Sequence, residues 1–393
     1  MASSVPLNAG HAKQRAGLLR GSPFIVEVFD GADDVLAALE VIERDLVFTA
    51  FQSLDWLTVL YEELATGSGP IPCLVVVTDR GSGKVVIALP LAIGREGLLR
   101  VASFPDFGVS DYGAPLLGFM PSASPSMIRR AWRAIRNALR EVDLIRLKRM
   151  PEKIGDRDNP LIAFFGCTPA QEAGHQLVVD QGFDRYLDSI GKKYRKDYER
   201  CHRLWKSGGR ARLHRATTAD EIARVFSIME EQEAHWRSAH EGKYQNAVPG
   251  ISPFYERIAI DGSDAGIAAL FALEANGETI ATILGLVHAE TFTMLRISTA
   301  GERWGNLSPG RLIVLETVRS LSGEGIRRFD MGCRSNPLPH GFGSTPVPLY
   351  DLVIAQDVAA LPAAVLHQFG RRVTNSRLKS ALPRLRAMLP PRF

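Results

Sequence analysis

The chain is poor in cysteine and has none in pairs. Cys73, Cys167, Cys201 and Cys333 are its only four, with no CxxC spacing, so neither a disulfide framework nor a zinc site is expected, and a reducing compartment suits it. Long apolar runs are missing too. The stretch Ile87–Ile93 is strand-length, far short of the roughly 20 residues that a membrane helix needs. Met1–Ser22 carries Lys13, Arg15 and Arg20 without the apolar core of a secretory signal, and residues 1–23 are expected to be a flexible cytosolic extension. Charge of one sign is scarce: the formal net charge is +4 over 393 residues, too little to argue for nucleic-acid binding from the total. Together these absences set the expectation of a cytoplasmic protein without a membrane span, while 46% hydrophobic and 23% charged residues are those of an ordinary globular chain long enough for two domains.

Several motifs are approached and missed. Gly81-Ser82-Gly83-Lys84 lacks the first glycine of a phosphate loop, since Thr78 stands there and Val85 follows the lysine. Gly341-Phe342-Gly343 reads as a turn. In Gly305-Asn306-Leu307-Ser308-Pro309-Gly310 the spacing is one residue too long for a nucleophile elbow, and a proline after the serine removes a backbone donor. His235 and His240 are five apart rather than four, so they do not share a helical face as a metal pair; no metal is expected.

What the chain does have is a repeated order of elements. Cys73–Asp79 and Lys84–Ile93 are β-rich runs joined by a Gly-Ser turn. Next comes an amphipathic helix in which Ile128, Ala131, Trp132, Ile135 and Leu139 share one face and Arg129, Arg133, Arg136 and Arg140 the other. Asp143–Lys148 then reads as a strand. Further on, Ala268–Ala275, the turn Asn276-Gly277-Glu278, Thr279–Ala289 and Thr291–Ala300 form a second meander. A helix from Arg311 to Leu321 and a strand Ile326–Met331 complete it. A crossover through a helix returns the chain parallel, so each half predicts a mixed α/β sheet. The division is expected near residue 180, giving an N-terminal domain 24–180, a C-terminal domain 181–360 and a basic tail 361–393. Between the meanders, Lys192–Arg215 holds ten Lys or Arg, with Tyr194, Tyr198, Cys201 and Trp205 at helical spacing, so a helix with a buried aromatic stripe is expected. Thr218 and Glu221 form the pattern of a capping box before a helix over Asp220–Ala239.

At Ser308-Pro309-Gly310 a strand gives way to a helix, and an anion is well held by free N–H groups at a helix N-terminus. Gly310 permits close backbone approach, Ser308 is placed to cap the first turn, and Arg311 adds charge. This segment, read as Arg303–Arg311, resembles the Ser-Pro-Gly loop of the GNAT-like acetyltransferases associated with cellulose and other polysaccharide biosynthesis. Phe51–Leu57, Val109–Gly113, Lys192–Trp205, His235-Trp236-Arg237 and Arg328–Gly332 are similar to that family's other segments in the same order, covering residues 24 to 357. Two departures stand out: the Gln/Arg-x-x-Gly-x-Gly/Ala pattern is not met around Arg303, and Ser335-Asn336-Pro337 replaces a Tyr-Lys pair.

The resemblance implies two GNAT-like domains, each a mixed, mostly antiparallel sheet flanked by helices, and acyl transfer from acyl-CoA to an amine or hydroxyl of a small molecule, amino sugar or glycan. It implies that the backbone of Arg296, Ile297 and Ser298, with Ser308, Gly310 and Arg311, holds the acyl-CoA. Asp330 and Tyr350 are then the candidate catalytic groups, and Asp111, Tyr112 and Trp236 the candidate substrate contacts. The first half is expected to have lost its own cofactor site and to wall the substrate cleft. Two other functions fit the chain: tRNA-dependent aminoacyl transfer, with the basic helix on phosphates, and a non-catalytic accessory role in polysaccharide biosynthesis.

Overall fold

The computed structural model describes residues 22–65, 67, 69–119, 125–164, 166–239, 251–333 and 341–367. Residues 1–21, His240, Ser335–Pro337 and the tail from 368, all invoked above, lie outside them. In chain order the first part runs β1 (Phe24–Asp30), α1 (Ala32–Ile42), α2 (Leu54–Leu64), β2 (Ile71–Asp79), β3 (Val85–Glu96), β4 (Leu99–Ser103), β5 (Leu116–Leu117), α3 (Pro125–Ala138) and β6 (Leu144–Pro151). There follow β7 (Lys153–Ile154), β8 (Arg157–Asp158), β9 (Cys167–Pro169), β10 (Gly174–Val178), α4 (Phe183–Ser189), α5 (Lys192–Ser207), β11 (Arg212–Ala216), α6 (Ala219–Ala239) and α7 (Ile251–Asp264). The last part comprises β12 (Ala268–Ala275), β13 (Glu278–His288), β14 (Thr291–Thr299), α8 (Pro309–Gly323), β15 (Arg328–Asp330), β16 (Thr345–Val347) and β17 (Leu349–Ala355).

Two mixed sheets result. The first has the order β1-β2-β3-β4-β6-β17-β9, with β5 beside β3; the second has β11-β12-β13-β14-β15-β10-β16. In each, three antiparallel strands are followed by a helix and a strand parallel to the third: β4 with β6 in one, β14 with β15 in the other. The repeated order read from the sequence is therefore a repeated topology. Its second hairpin turns on Asn276 and Gly277, both at positive φ (53° and 83°), the conformation that a two-residue turn between twisted strands demands. Helix α6 has its capping box, with the Glu221 N–H donating to Thr218 Oγ1 at 3.3 Å and the Thr218 N–H donating to Glu221.

The two halves are interlocked in a way that local pattern did not show. β10 precedes residue 180 yet pairs with β15 and β16 in the second sheet, and β17 follows the second sheet's last crossover yet pairs with β6 and β9 in the first. One apolar cluster also crosses between them: Trp56 of α2 packs edge-on against Phe254 of α7 at 5.1 Å, within a core shared by Leu60, Leu270 and Leu284. A second cluster buries α8 against β12–β15, with Leu312, Ile313, Leu315 and Val318 meeting Phe292 and Phe329.

The basic stretch Lys192–Arg215 is a helix only to Ser207. Gly208 and Gly209 end it, and Arg212–Arg215 instead pair with β12 as an edge strand. Of the expected stripe, Tyr198, Cys201 and Trp205 are buried and Tyr194 is half-buried against the same core.

Candidate active site

β14 and β15 run side by side for only three residues. Thr291, Phe292 and Thr293 pair with Arg328, Phe329 and Asp330, and there β15 stops while β14 continues to Thr299. A bulge explains the divergence. Gly285 of β13 faces Met294 and Leu284 faces Arg296, so Leu295 is an extra residue on β14, and such an insertion bends and twists its strand. Beyond the bend, no described strand pairs with Met294–Thr299 on the β15 side, so that edge keeps its backbone donors and acceptors for another partner.

The open edge ends beside the start of α8. A Cβ at Gly310 would lie 3.4 Å from Thr299 Cγ2. Ser308 at the N-cap is left-handed (φ 47°, ψ 59°) and its side chain makes no cap bond, unlike the role its residue type suggests. The N–H groups of Arg311 and Leu312 both donate to Ser308 O, at 2.9 and 3.0 Å, which leaves the Gly310 N–H without a partner among the described residues. Arg311 pairs with Asp197 of α5 and lies over the Tyr194 ring at 5.6 Å. Arg296 turns its side chain away from the fork, chelated by Glu233 at 2.9 and 2.6 Å and bridged to Glu230 at 2.5 Å. Ser298 is buried, donating to Gln232 Oε1 at 2.7 Å, and Ile297 packs on the α8 side. Of the six residues expected to hold acyl-CoA, Arg296 and Ser298 thus have committed side chains and bring backbone alone; Gly310 brings an open N–H.

Asp330 sits at the apex of the fork. Its Oδ1 accepts from Tyr112 Oη and from the Gly332 N–H, both at 2.7 Å, while the nearby Arg327 and Arg328 reach Asp180 O and Asp156 instead. Burial pushes the Asp330 carboxyl up from 3.8 to about 7, against the two donated bonds, and the nearby Asp111 charge pushes the same way. Burial also holds the Tyr112 phenol well above its usual value, with Asp330 adding to the effect. Asp111 is buried beside them: a Cβ at Gly332, whose φ is +76°, would fall 2.1 Å from Asp111 Oδ2, and Cys333 Sγ donates to Asp111 O at 3.2 Å. The Asp111-Tyr112 pair thus reaches the second half's strand from the first half, where the Tyr112 carbonyl is pinned by Gln52 Nε2 at 3.2 Å and its ring packs edge-on to Phe51.

Asp330 and Tyr112 open into a cavity of about 970 Å³ between the two sheets, walled by Phe48, Lys153, Gln176, His288 and Thr293 among others. Cavities of this size take ligands up to several rings. Tyr350 and Trp236 are not among the lining residues: Tyr350 is on β17 opposite Met150 and Pro169, and Trp236 is on α6, 38% exposed. The wall missed by sequence reasoning is residues 43–50, which carry no motif and reach the site only through tertiary packing. Among the described residues no group of His, Cys, Asp and Glu could hold a metal ion, and no helix is long and apolar enough to cross a membrane.

Comparison with known proteins agrees with this geometry. Residues 192–338, from α5 through β15, match the family model described as Acetyltransferase (GNAT) domain. No curated protein matches the chain. Among solved structures, the crystal structure of FemX is similar over 80% of this chain and 94% of its own, with 10% identity and a TM-score of 0.55. A conserved protein of unknown function from Bacteroides thetaiotaomicron is similar over 81% of this chain and 97% of its own, with 12% identity and a TM-score of 0.52. At such identities the likeness is one of fold. The chain is a mixed α/β protein of two sheets flanked by helices, its second half similar to GNAT acetyltransferase domains and its first half repeating the same strand order.

Proposed function

We propose that the chain is an acyltransferase that moves an acyl group from acyl-CoA to an amine or hydroxyl of an acceptor bound in the cavity between the halves. The observation that carries this reading is the fork: an unpaired strand edge, Met294–Thr299, ending at a helix N-terminus with an open Gly310 N–H, and an ionisable carboxyl at its apex. The residues fit the group. The β14 edge at Arg296, Ile297 and Ser298 suits the amide-bearing pantetheine arm, and Gly310 with the positive end of α8 suits a phosphate. Acyl-CoA supplies an activated thioester.

Asp330 then acts as the base. With a carboxyl pushed up to about 7 it is half ionised at neutral pH, where it can take the proton from an incoming ammonium or hydroxyl. Tyr112 fixes the carboxylate by its 2.7 Å bond, so the carboxyl oxygen not engaged by Tyr112 and Gly332 is the one presented to the acceptor. The new carbon–nitrogen or carbon–oxygen bond replaces the carbon–sulfur bond, and the thiolate leaves with a proton. In this reading the halves 24–180 and 181–360 divide the labour, the first walling the cleft and the second holding the donor, and the enzyme works in the cytoplasm on a small molecule, amino sugar or glycan. Tyr350 and Trp236 keep no catalytic or substrate-binding part in it.

The aminoacyl-tRNA alternative draws on α5, but its Tyr198 and Trp205 are buried, the half-buried Tyr194 ring is covered by Arg311, and Arg195 and Arg200 are already paired with Asp188 and Asp197. Release of free thiol from acetyl-CoA, followed against a panel of amines and amino sugars, tests the proposal. A protein that turns over no acyl-CoA with any acceptor while accepting aminoacyl-tRNA would replace it.

A further inference from the structure

Far from the fork, the outer face of the first half carries a surface built inside out. Residues 358–367 lie against β6 and β17, and the side chains turned inward are the small ones: Ala360 and Ala364 pack with Val101, Leu144 and Val353. The large aliphatic ones face water. Val358 is 78% exposed, Leu361 49%, Val365 46% and Leu366 65%. Positions 358, 361 and 365 fall on one helical face, so this is a continuous apolar stripe rather than scattered exposure.

The neighbouring helix supplies the second half of the pattern. Arg129, Arg130 and Arg133 of α3, with Arg140 just beyond its end, are exposed, and none meets a carboxylate among the described residues. Arg136 is anchored, its Nε donating to Gln356 Oε1 at 2.9 Å while Gln356 Nε2 donates back to the carbonyls of Arg136 and Leu139. This ties the arginine face to the aliphatic stripe. A groove of about 770 Å³ joins them, lined by Arg129, Arg133, Arg136, Leu361 and Val365.

We propose that this face docks on an anionic lipid bilayer, with the arginines at the headgroups and the aliphatic stripe in the interface. Charge chooses the partner. The chain's own segment 368–393 carries seven Arg or Lys and no acid, so it is repelled by the arginine row. A second copy in a two-fold contact would set arginines against arginines. A nucleic acid would use the arginines but gain nothing from Val358, Leu361, Val365 and Leu366, none of which stacks on bases. An anionic bilayer uses both.

The test is flotation of the full chain with vesicles of phosphatidylcholine alone and of phosphatidylcholine mixed with phosphatidylglycerol. The expected result is binding to the mixed vesicles only. Each surface arginine contributes about fivefold in affinity, so Arg129→Gln/Arg133→Gln lowers binding by roughly 25-fold. Leu361→Ser/Val365→Ser weakens it by at least about tenfold. The melting temperature and the exposed positions of all four changes report that the fold is kept. Equal flotation of wild type and both variants overturns the proposal, as does absence of binding to either vesicle. It is also overturned by a dimer that Leu361→Ser/Val365→Ser dissolves, or by tighter binding to RNA than to vesicles.

Discussion

Replacing Asp330 by asparagine separates the carboxyl's charge from its shape. The amide keeps an oxygen to accept from Tyr112 and Gly332, so the 2.7 Å contacts survive. What it loses is ionisation. The carboxyl is raised from 3.8 to about 7 by burial. Below the lower value both folded and unfolded chains hold the proton and the group is neutral to stability. Between the two, the unfolded chain releases its proton while the folded chain retains it, so stability falls as pH rises, and above about 7 the full cost is present. At about 1.4 kcal/mol per pH unit, the cost at pH 8 is about 4 kcal/mol. Asp330→Asn is therefore expected to be about 4 kcal/mol more stable than wild type at pH 8, and equal to it near pH 4. Denaturant unfolding of both proteins across this range measures the difference, and the titrating groups that do not interact with Asp330 cancel. Parallel stability curves, or a variant less stable at pH 8, would refute the argument that burial dominates at Asp330. The same change is expected to remove acyl transfer at neutral pH, so that stability and activity move in opposite directions, as they do where a destabilising group is kept for chemistry.

Three further predictions concern the same framework. Tyr112→Phe removes a bond that favours the ionised carboxyl, so the rising limb of kcat/KM, centred near pH 7 in the wild type, shifts to higher pH; an unmoved limb would mean that Asp330 is not the group that titrates. Gly332→Ala puts a methyl 2.1 Å from Asp111 Oδ2 at a φ of +76°, and is expected to cost about 2 kcal/mol or more in chemical denaturation, against a few tenths if the loop simply relaxes. Phe254→Ala leaves a cavity in the cluster shared by both halves, with an expected loss of about 3 to 5 kcal/mol in a single calorimetric transition; two separate transitions, one of them unaffected, would show that the halves unfold independently.

How far the fold could be read depended on whether its causes were local. The hairpin at Asn276-Gly277, the capping box at Thr218 and Glu221, and the inward aromatics of α5 are consequences of residues within a few positions of each other, and the sequence pattern placed them within a residue or two. The exchange of β10 and β17 between the sheets has no local cause. Its pairings join residues about 150 to 200 positions apart, such as Gln176 with Asp330 and Leu349 with Pro151. The family resemblance brought Asp330, Asp111 and Tyr112 into the argument, but nothing local joins them: the Tyr112 that bonds Asp330 lies 218 residues away. That resemblance also offered Tyr350 and Trp236, which the fold keeps apart from the cavity, because it carries over a residue type without the strand register that aims it.

The claim at the centre of this account is that the fork between β14 and β15 holds acyl-CoA with α8 behind it. Calorimetric titration of acetyl-CoA into wild type and Gly310→Val tests it most directly. Valine branches add to a Cβ already 3.4 Å from Thr299 Cγ2 and crowd the Gly310 N–H, while the helix start itself tolerates them at a cost of about 1 kcal/mol or less. The account predicts saturable binding to wild type and at least about tenfold weaker binding to a Gly310→Val protein of unchanged fold, a difference of about 1.4 kcal/mol. No binding to wild type, or equal affinity in the two proteins, would contradict it.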